Sequence, residues 1–324
     1  MNSATMTLMD SEVHYPSYRP YHAHVVSVTQ LSPHFTRVRF TGPEFNHFAE
    51  HALDQRVKIV FPHTPNCYTD LGLDNEESLI KGDWYERWRA LPDDQRSPFR
   101  TYTVRTINAA TKTLDIDFVI HHDHNGPTGP GGAWIHTAQP GDTVIIVGPD
   151  ARSSHSHIGI DFRPGTATNI LLMGDETAAP AIAGILEKLP THIHATAFIE
   201  VPATEDTLDI TTHPHTTITY LPRNGLPVGT LLLPALHEWA DNNQHLVKSA
   251  RSQMPQPLED INVDAELLWE SPEVEQSTGL YAWLAGESSA IKRMRRYLVS
   301  ELGVDRKRVA FMGYWRAGQA ERIS

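Results

Sequence analysis

The chain has 324 residues, of which 40% are apolar, a single cysteine and a formal net charge of −12 at pH 7. That length predicts two domains, and the acidic balance argues against a general nucleic-acid or membrane-surface binder, which is normally basic. With Cys67 alone, an intramolecular disulfide, a dithiol pair and a four-cysteine iron–sulfur cluster within the chain are excluded, so any electron transfer calls for an organic cofactor.

The first thirty residues lack a basic stretch followed by an apolar one, and no run of eighteen apolar residues occurs. The expectation is therefore a soluble cytoplasmic protein without signal peptide or spanning helix, acting as a monomer. Nineteen histidines are scattered; the pairs His192/His194 and His213/His215 fall at period two, which suits strand faces, and no metal site is expected.

Residues 1–19 are polar and aperiodic and read as a flexible arm. From residue 20 the pattern becomes β-like, with alternating runs at 24–28, 36–40, 56–61, 99–106, 114–120 and 143–147, each bounded by turn residues. Six short strands at this spacing predict a small antiparallel barrel over 20–157. Residues 63–97 interrupt it as a polar, tryptophan-bearing insertion, helical around 84–90. A glycine-rich loop ending in Gly131-Gly132-Ala133-Trp134 leads into a short helix to Ala138, and such a loop presents backbone N–H groups to phosphate.

After the Pro164-Gly165 joint the composition changes. Residues 169–173 form a continuous apolar run ending in Gly174-Asp175-Glu176-Thr177, and 178–189 have helical spacing with small residues. Strand, glycine turn and small-residue helix open a doubly wound parallel sheet. Further strands are expected at 194–201, 216–221, 280–287 and 308–316, with a helix over 288–302 that carries Lys292, Arg293, Arg295 and Arg296 outside its apolar face. Residues 241–278 look like a polar insertion. The fold class is thus an α+β two-domain chain, a six-stranded antiparallel β-barrel followed by a Rossmann-like α/β nucleotide-binding domain over 165–318.

Within the barrel, Arg100-Thr101-Tyr102-Thr103-Val104-Arg105 combines an aromatic plane, hydroxyl donors and guanidinium forks, which is what a flavin needs. The same hexapeptide also reads as an ordinary half-exposed strand. Joined to the phosphate-type loop and the nucleotide-type domain, it predicts a flavin between the domains, with a pyridine nucleotide entering at the strand ends. Glu200 near a strand end suits a ribose hydroxyl and Arg223 suits a 2′-phosphate, so NADH and NADPH both stay open.

These motifs carry a resemblance. Arg100–Thr103, the run Asp117-Phe118-Val119-Ile120-His121, Gly131–Trp134 before Pro140-Gly141-Asp142, Gly174–Ala181, Ala285-Gly286-Glu287 and the terminal Gly313-Tyr314-Trp315-Arg316 occur in the order found in the siderophore-interacting protein family, FAD-containing ferric-siderophore reductases of ferredoxin-reductase type. The resemblance implies that Arg100, Tyr102 and Thr103, with Thr101 among them, hold the isoalloxazine and ribityl-phosphate region of FAD. Asp117, Val119 and His121 would line it further along, and Gly131, Gly132, Ala133 and Trp134 its pyrophosphate side. Asp175, Glu176, Thr177, Gly286 and Glu287 would meet NADPH or NADH, and Trp315 would close over the flavin. Lys58 and Arg296 would attract the anionic ferric siderophore, although Lys58 also suits a plain surface strand and the 292–296 cluster a solvated helix face.

Where some members carry an arginine directly after Gly-Pro, here Pro149 is followed by Asp150 and the nearest arginine is Arg152. The short segment after Trp315 points to the nicotinamide-using branch. The implied reaction is hydride transfer from NAD(P)H to FAD and single-electron reduction of Fe(III), with no catalytic nucleophile or base. A general flavin reductase or diaphorase on the same fold, or a non-enzymatic siderophore-binding module, are the competing readings.

Overall fold

The computed structural model describes residues 13–62, 67–123, 126–127, 129–272 and 279–319. The first domain contains β1 (Tyr18–Ser32), β2 (Phe35–Thr41), β3 (Arg56–Val60), β4 (Phe99–Asn108), β5 (Thr113–Val119), a two-residue hairpin of β6 (His122–Asp123) and β7 (Gly126–Pro127), and β8 (Thr143–Pro149). Six of these close into a barrel in the order β1-β2-β5-β4-β3-β8. Alternation sets its inside: Val38, Phe40, Val57, Ile59, Leu114, Ile116 and Phe118 fill one buried cluster, while neighbouring positions point outward. On β2 and β5 the outward set is Arg37 and Arg39 facing Asp117 and Asp115, which the register places directly opposite each other.

The barrel begins earlier than the pattern implied. Tyr18 and Arg19 pair with Pro149 and Gly148 of β8, and Arg19 is buried with its guanidinium on Glu44 at 2.5 Å. Hydrogen bonding holds these two residues, so hydrophobic period does not reveal them. Helix α1 (Glu76–Lys81) is followed by α2 (Trp84–Arg89), which packs on the outer barrel wall through Trp88 against Leu71 and the barrel residues Val60, Phe99, Ile145 and Val147. Helix α3 (Gly129–Thr137) covers one barrel end through Ile135. It starts inside the expected glycine loop, so Gly131, Gly132, Ala133 and Trp134 are helical.

The second domain runs β9 (Asn169–Gly174), α4 (Ala179–Leu186), β10 (His194–Val201), β11 (Thr216–Pro222), α5 (Leu232–Asn242), α6 (Gln244–Ser249), β12 (Trp269–Glu270), β13 (Leu280–Glu287), α7 (Ser288–Arg295) and β14 (Val309–Trp315). The sheet order is β11-β10-β9-β13-β14-β12, parallel except for the edge strand β12. Order reverses between β9 and β13, which makes that crevice the switch point. Both faces are covered, so successive residues enter different cores. Ile170, Leu172, Tyr281 and Trp283 join the α4 side, whereas Leu171, Met173, Leu280 and Leu284 join the α5–α7 side.

Residues 241–278 are not an appendage. Val247, Ala250 and Leu268 are buried in the second core, and β12 extends the sheet. Their polarity misleads because these short elements bury only a few side chains. Residues 273–278 lie outside the described residues.

Where a crossover helix is usual, residues 202–215 join β10 to β11 as one short 3-10 turn and coil, and the barrel covers that face: Phe35 belongs to the α4-side core. Three polar joints hold the seam. Asp206 accepts from Ser32 Oγ at 2.6 Å and the His34 amide at 2.9 Å. Arg105 forks onto Glu187 with two bonds of 2.6 Å. Asp54 Oδ2 accepts from the amides of Asp161 and Phe162 and from the Trp283 indole at 2.9, 3.0 and 3.1 Å.

Asp54 Oδ1 has no partner among the described residues. Burial, with the charge of Asp161 adding to it, pushes the Asp54 carboxyl up from 3.8 to about 6. An acid whose folded pKa is raised contributes stability that is full below its unfolded value and lost as pH rises through the folded value. Asp54→Asn is therefore expected to lose less stability than the native chain between pH 4 and pH 8, by up to about 3 kcal/mol. Urea unfolding at both pH values checks this; parallel losses would remove Asp54 as the cause.

Candidate functional site

The barrel's contribution is built on β4. Its pairing with β3 sets Lys58 opposite Thr101 and Val57 opposite Tyr102. Tyr102 is half-buried, its ring 4.5 Å from Phe118 and 6.4 Å from Phe61 between centroids. Trp134 of α3 stacks near Phe40 at 6.2 Å and contacts Phe61 and Phe118. Gly131 is buried between them, and a Cβ there would overlap the Tyr102 hydroxyl. Arg100 and Thr101 are half-buried and Thr103 is buried; Arg100 Nη1 donates to the Phe99 carbonyl at 2.7 Å. A half-exposed aromatic, hydroxyls and a guanidinium thus share one strand beside a glycine-bearing helix start, and these residues fit a flavin dinucleotide.

Not every expected residue is presented to a ligand. The Asp117 carboxylate is buried and held by Arg37 with bonds of 2.6 and 2.8 Å, and Arg105 Nε lies 3.7 Å away. It anchors a chain of charges running from Arg37 through Arg105 to Glu187 across the domain seam. The alternation Arg37/Arg39 against Asp115/Asp117 is the sequence signal for this pairing. Val119 is half-buried against the α4-side core. His121 reaches the other domain: its ring lies 5.5 Å from that of Trp315 and its Nδ1 is 3.8 Å from Glu176.

The second domain contributes the switch point. Asp175 follows β9 and is wholly buried. Its Oδ1 accepts from the Thr177 amide at 3.0 Å and hydroxyl at 2.5 Å. Its Oδ2 accepts from the Glu287 amide at 2.7 Å and the Trp315 indole at 2.9 Å. Gly286 makes this possible: its φ is +145° and an added Cβ would lie 2.6 Å from Asp175 Oδ2. Burial, reinforced by Glu176, pushes the Asp175 carboxyl up to about 7. Asp175, Thr177, Gly286, Glu287 and Trp315 are brought together as one unit, with His121 beside Trp315.

Glu176 turns the other way. It forms a bidentate pair with Arg223 at 2.6 and 2.9 Å, and Arg223 also lies 3.5 Å from Glu200. Glu200 Oε1 accepts from the Gly229 amide at 2.6 Å, and Oε2 from Leu231 and Leu232 at 2.9 and 3.3 Å. All three side chains are buried. The expected ribose ligand Glu200 and phosphate ligand Arg223 are instead internal supports for the start of α5.

Lys58 is half-buried on the outer barrel wall, with Nζ 3.0 Å from Thr101 Oγ1 and 5.0 Å from the Phe99 ring centroid. Arg296 is exposed at the far end of α7, with Nε 3.7 Å from Glu301, so the structure does not join it to Lys58. Arg152 is bound to Asp150 at 2.6 and 2.9 Å and stacks over Tyr15. Among the described residues no three His, Cys, Asp or Glu side chains are grouped to hold a metal ion, and no helix is long and apolar enough to cross a membrane.

A barrel closed against a switch-point sheet is the architecture of ferredoxin-reductase-type flavoproteins. The ferredoxin reductase of carbazole 1,9a-dioxygenase shares it at a TM-score of 0.55 and 15% identity, over 92% of this chain and 70% of that one. Residues 24–153 match the siderophore-interacting FAD-binding domain and residues 167–318 the siderophore-interacting protein model, so the chain belongs to the siderophore-interacting protein family.

An uncharacterized protein of Mycobacterium tuberculosis is 30% identical over 310 residues, covering 94% of this chain and 93% of its own. Ferric vibriobactin reductase ViuB of Vibrio cholerae is 28% identical over 291 residues, covering 90% and 87%. Among solved structures, a siderophore utilization protein from T. fusca superposes with a TM-score of 0.64 at 28% identity, over 96% of this chain and 97% of that one. Siderophore-interacting protein SipS from Aeromonas hydrophila gives 0.61 at 26%, over 94% and 95%.

Because the Gly131 position abuts the Tyr102 hydroxyl, Gly131→Ala is expected to cost about 1–3 kcal/mol of stability and to lower FAD retention. Adding Tyr102→Phe removes the overlapping oxygen and should recover much of that stability. A double-mutant cycle followed by urea unfolding measures the coupling, and additive losses would place the strain elsewhere.

Proposed function

We propose that this protein is an FAD-dependent NAD(P)H ferric-siderophore reductase of the cytoplasm, acting as a monomer. The observation that carries the proposal is the seam itself. The half-exposed Arg100–Tyr102 strand faces a domain whose switch-point residues Asp175, Glu287 and Trp315 are held together, and His121 of the first domain meets Trp315 of the second at 5.5 Å. The family membership and the resemblance to ViuB, a ferric vibriobactin reductase, support the same reading.

FAD bound on this strand supplies a hydride acceptor that can also release electrons singly. Arg100 and Thr103 bind and orient it, Tyr102 offers a plane for stacking, and Gly131 leaves the space that the Tyr102 hydroxyl fills. Trp315, tied to Asp175, excludes water from the nicotinamide side and fixes the width of the entrance. Lys58 attracts the anionic ferric complex to the barrel wall. Hard oxygen donors hold Fe(III) better than Fe(II), so reduction loosens the chelate without any nucleophile or general base from the protein.

Anaerobic mixing of the FAD-loaded protein with NADH and NADPH separately should bleach its visible absorbance, and ferric catecholate or hydroxamate should restore it. Bleaching without reoxidation by ferric siderophores would favour a general flavin reductase. Lys58→Ala is expected to raise KM for the ferric siderophore about threefold, since a charge that solvent still screens contributes up to about 1 kcal/mol, while bound FAD is retained. An unchanged KM rejects the Lys58 assignment.

A further inference from the structure

Helix α7 and its continuation carry four cations, and three of them have acidic partners. Lys292 Nζ lies 2.6 Å from Asp260, Arg295 pairs with Glu270, and Arg296 Nε lies 3.7 Å from Glu301. Arg293 is exposed and has no acidic partner among the described residues; its Nη2 donates to the Gly229 carbonyl at 3.0 Å. Its guanidinium lines a cavity of about 360 Å³ whose remaining wall is residues 227–230, Leu233 and Pro234.

The cavity lies beside the switch point. Gly229 abuts Ala290, so closely that an added Cβ would lie 2.5 Å from the Ala290 Cβ. The Ala290 amide in turn donates to Glu287 at 3.0 Å, and the Glu287 amide donates to Asp175. One turn of α7 therefore separates the strand ends from the cavity. Its other wall follows β11, at the edge of the parallel sheet where the adenosine half of a dinucleotide lies in switch-point folds.

Recognition of an unphosphorylated ribose in such folds uses a carboxylate at the end of the second strand. Glu200 occupies that place, but both its oxygens are committed to the amides of Gly229, Leu231 and Leu232. Arg223 is committed to Glu176. Buried groups already hydrogen-bonded have little to gain from a ligand. Arg293 retains a charge without an acidic partner among the described residues and several N–H donors, the equipment for binding a phosphomonoester.

We propose that Arg293 binds the 2′-phosphate of the nicotinamide dinucleotide in the 227–234 cavity, which makes NADPH the preferred donor over NADH. This rests on the reading that a nicotinamide nucleotide reduces the bound flavin. The 2′-phosphate meets a cation that has no acidic partner among the described residues and donates to the Gly229 carbonyl, and the ribose meets no uncommitted carboxylate from Glu200.

The test titrates the FAD-loaded protein with adenosine 2′,5′-bisphosphate and with 5′-AMP by calorimetry, alongside stopped-flow flavin reduction by NADPH and NADH. The native protein should bind the bisphosphate at least tenfold more tightly than 5′-AMP. Arg293→Ala should abolish that preference and lower the NADPH-to-NADH ratio of kcat/KM at least tenfold, with Arg293→Lys intermediate. The visible flavin spectrum and thermal midpoint confirm that each variant is folded. If both nucleotides reduce the flavin and Arg293→Ala leaves the ratio and the bisphosphate affinity unchanged, the inference fails while the reductase reading stands. If neither nucleotide reduces the flavin, the donor reading and the inference fail together.

Discussion

A buried carboxylate at the switch point organises the functional half of this molecule. Asp175 is wholly enclosed, and an ionisable group so placed must find hydrogen bonds or carry a large desolvation cost. It finds four, from the Thr177 amide and hydroxyl, the Glu287 amide and the Trp315 indole. Those donors belong to the segments ending β9, β13 and β14, so one side chain sets the relative positions of three strand ends. Gly286 is required at the point of closest approach because any Cβ would occupy the space of the carboxylate. Burial, reinforced by Glu176, pushes the Asp175 carboxyl up, against the opposing pull of the hydrogen bonds from Thr177, Trp315 and the Glu287 amide.

Elsewhere, ion pairing decides which charged groups build the protein. Arg37, Asp117, Arg105 and Glu187 form a connected series from the barrel wall to the end of α4. Glu176, Arg223 and Glu200 form another beneath the start of α5. Breaking one member of such a buried set leaves its partner uncompensated, so these residues act as supports. Arg293 stands apart, with no acidic partner among the described residues and a carbonyl among its contacts. In a chain of net charge −12, a cation of this kind is what the proposed docking of an anionic ligand calls for.

The six barrel strands and the parallel strands were legible because alternation and continuous apolar runs are local signals. The strand of residues 280–287 coincides with β13 for that reason. Tyr18 and Arg19 were not legible, since they are held by hydrogen bonds and by β8. Nor was the contribution of residues 241–278, where Val247, Ala250 and Leu268 reach the core from a polar background. Helices α1, α5 and α6 lie in polar or mixed stretches whose pattern does not single them out. The glycine-rich segment has the pattern of a loop because three glycines and a proline in nine residues oppose helix propensity, yet packing over the barrel end makes it α3.

At the site, residue types and their order along the chain determined the class of chemistry: an aromatic-and-hydroxyl strand, a glycine-bearing helix start and a nucleotide-type sheet, in the sequence of one family. Tertiary structure alone decided which charges are already committed. Asp117, Glu200 and Arg223 all have suitable chemistry, and each is engaged by a partner between 23 and 80 positions away or by backbone amides. Arg293 and Arg296 are nearly indistinguishable in sequence, yet one lines a cavity beside the strand ends and the other pairs with Glu301 at the remote end of the helix. Pairing and burial depend on the three-dimensional neighbours of a side chain, and those neighbours are brought together only when the barrel and the sheet have closed on each other.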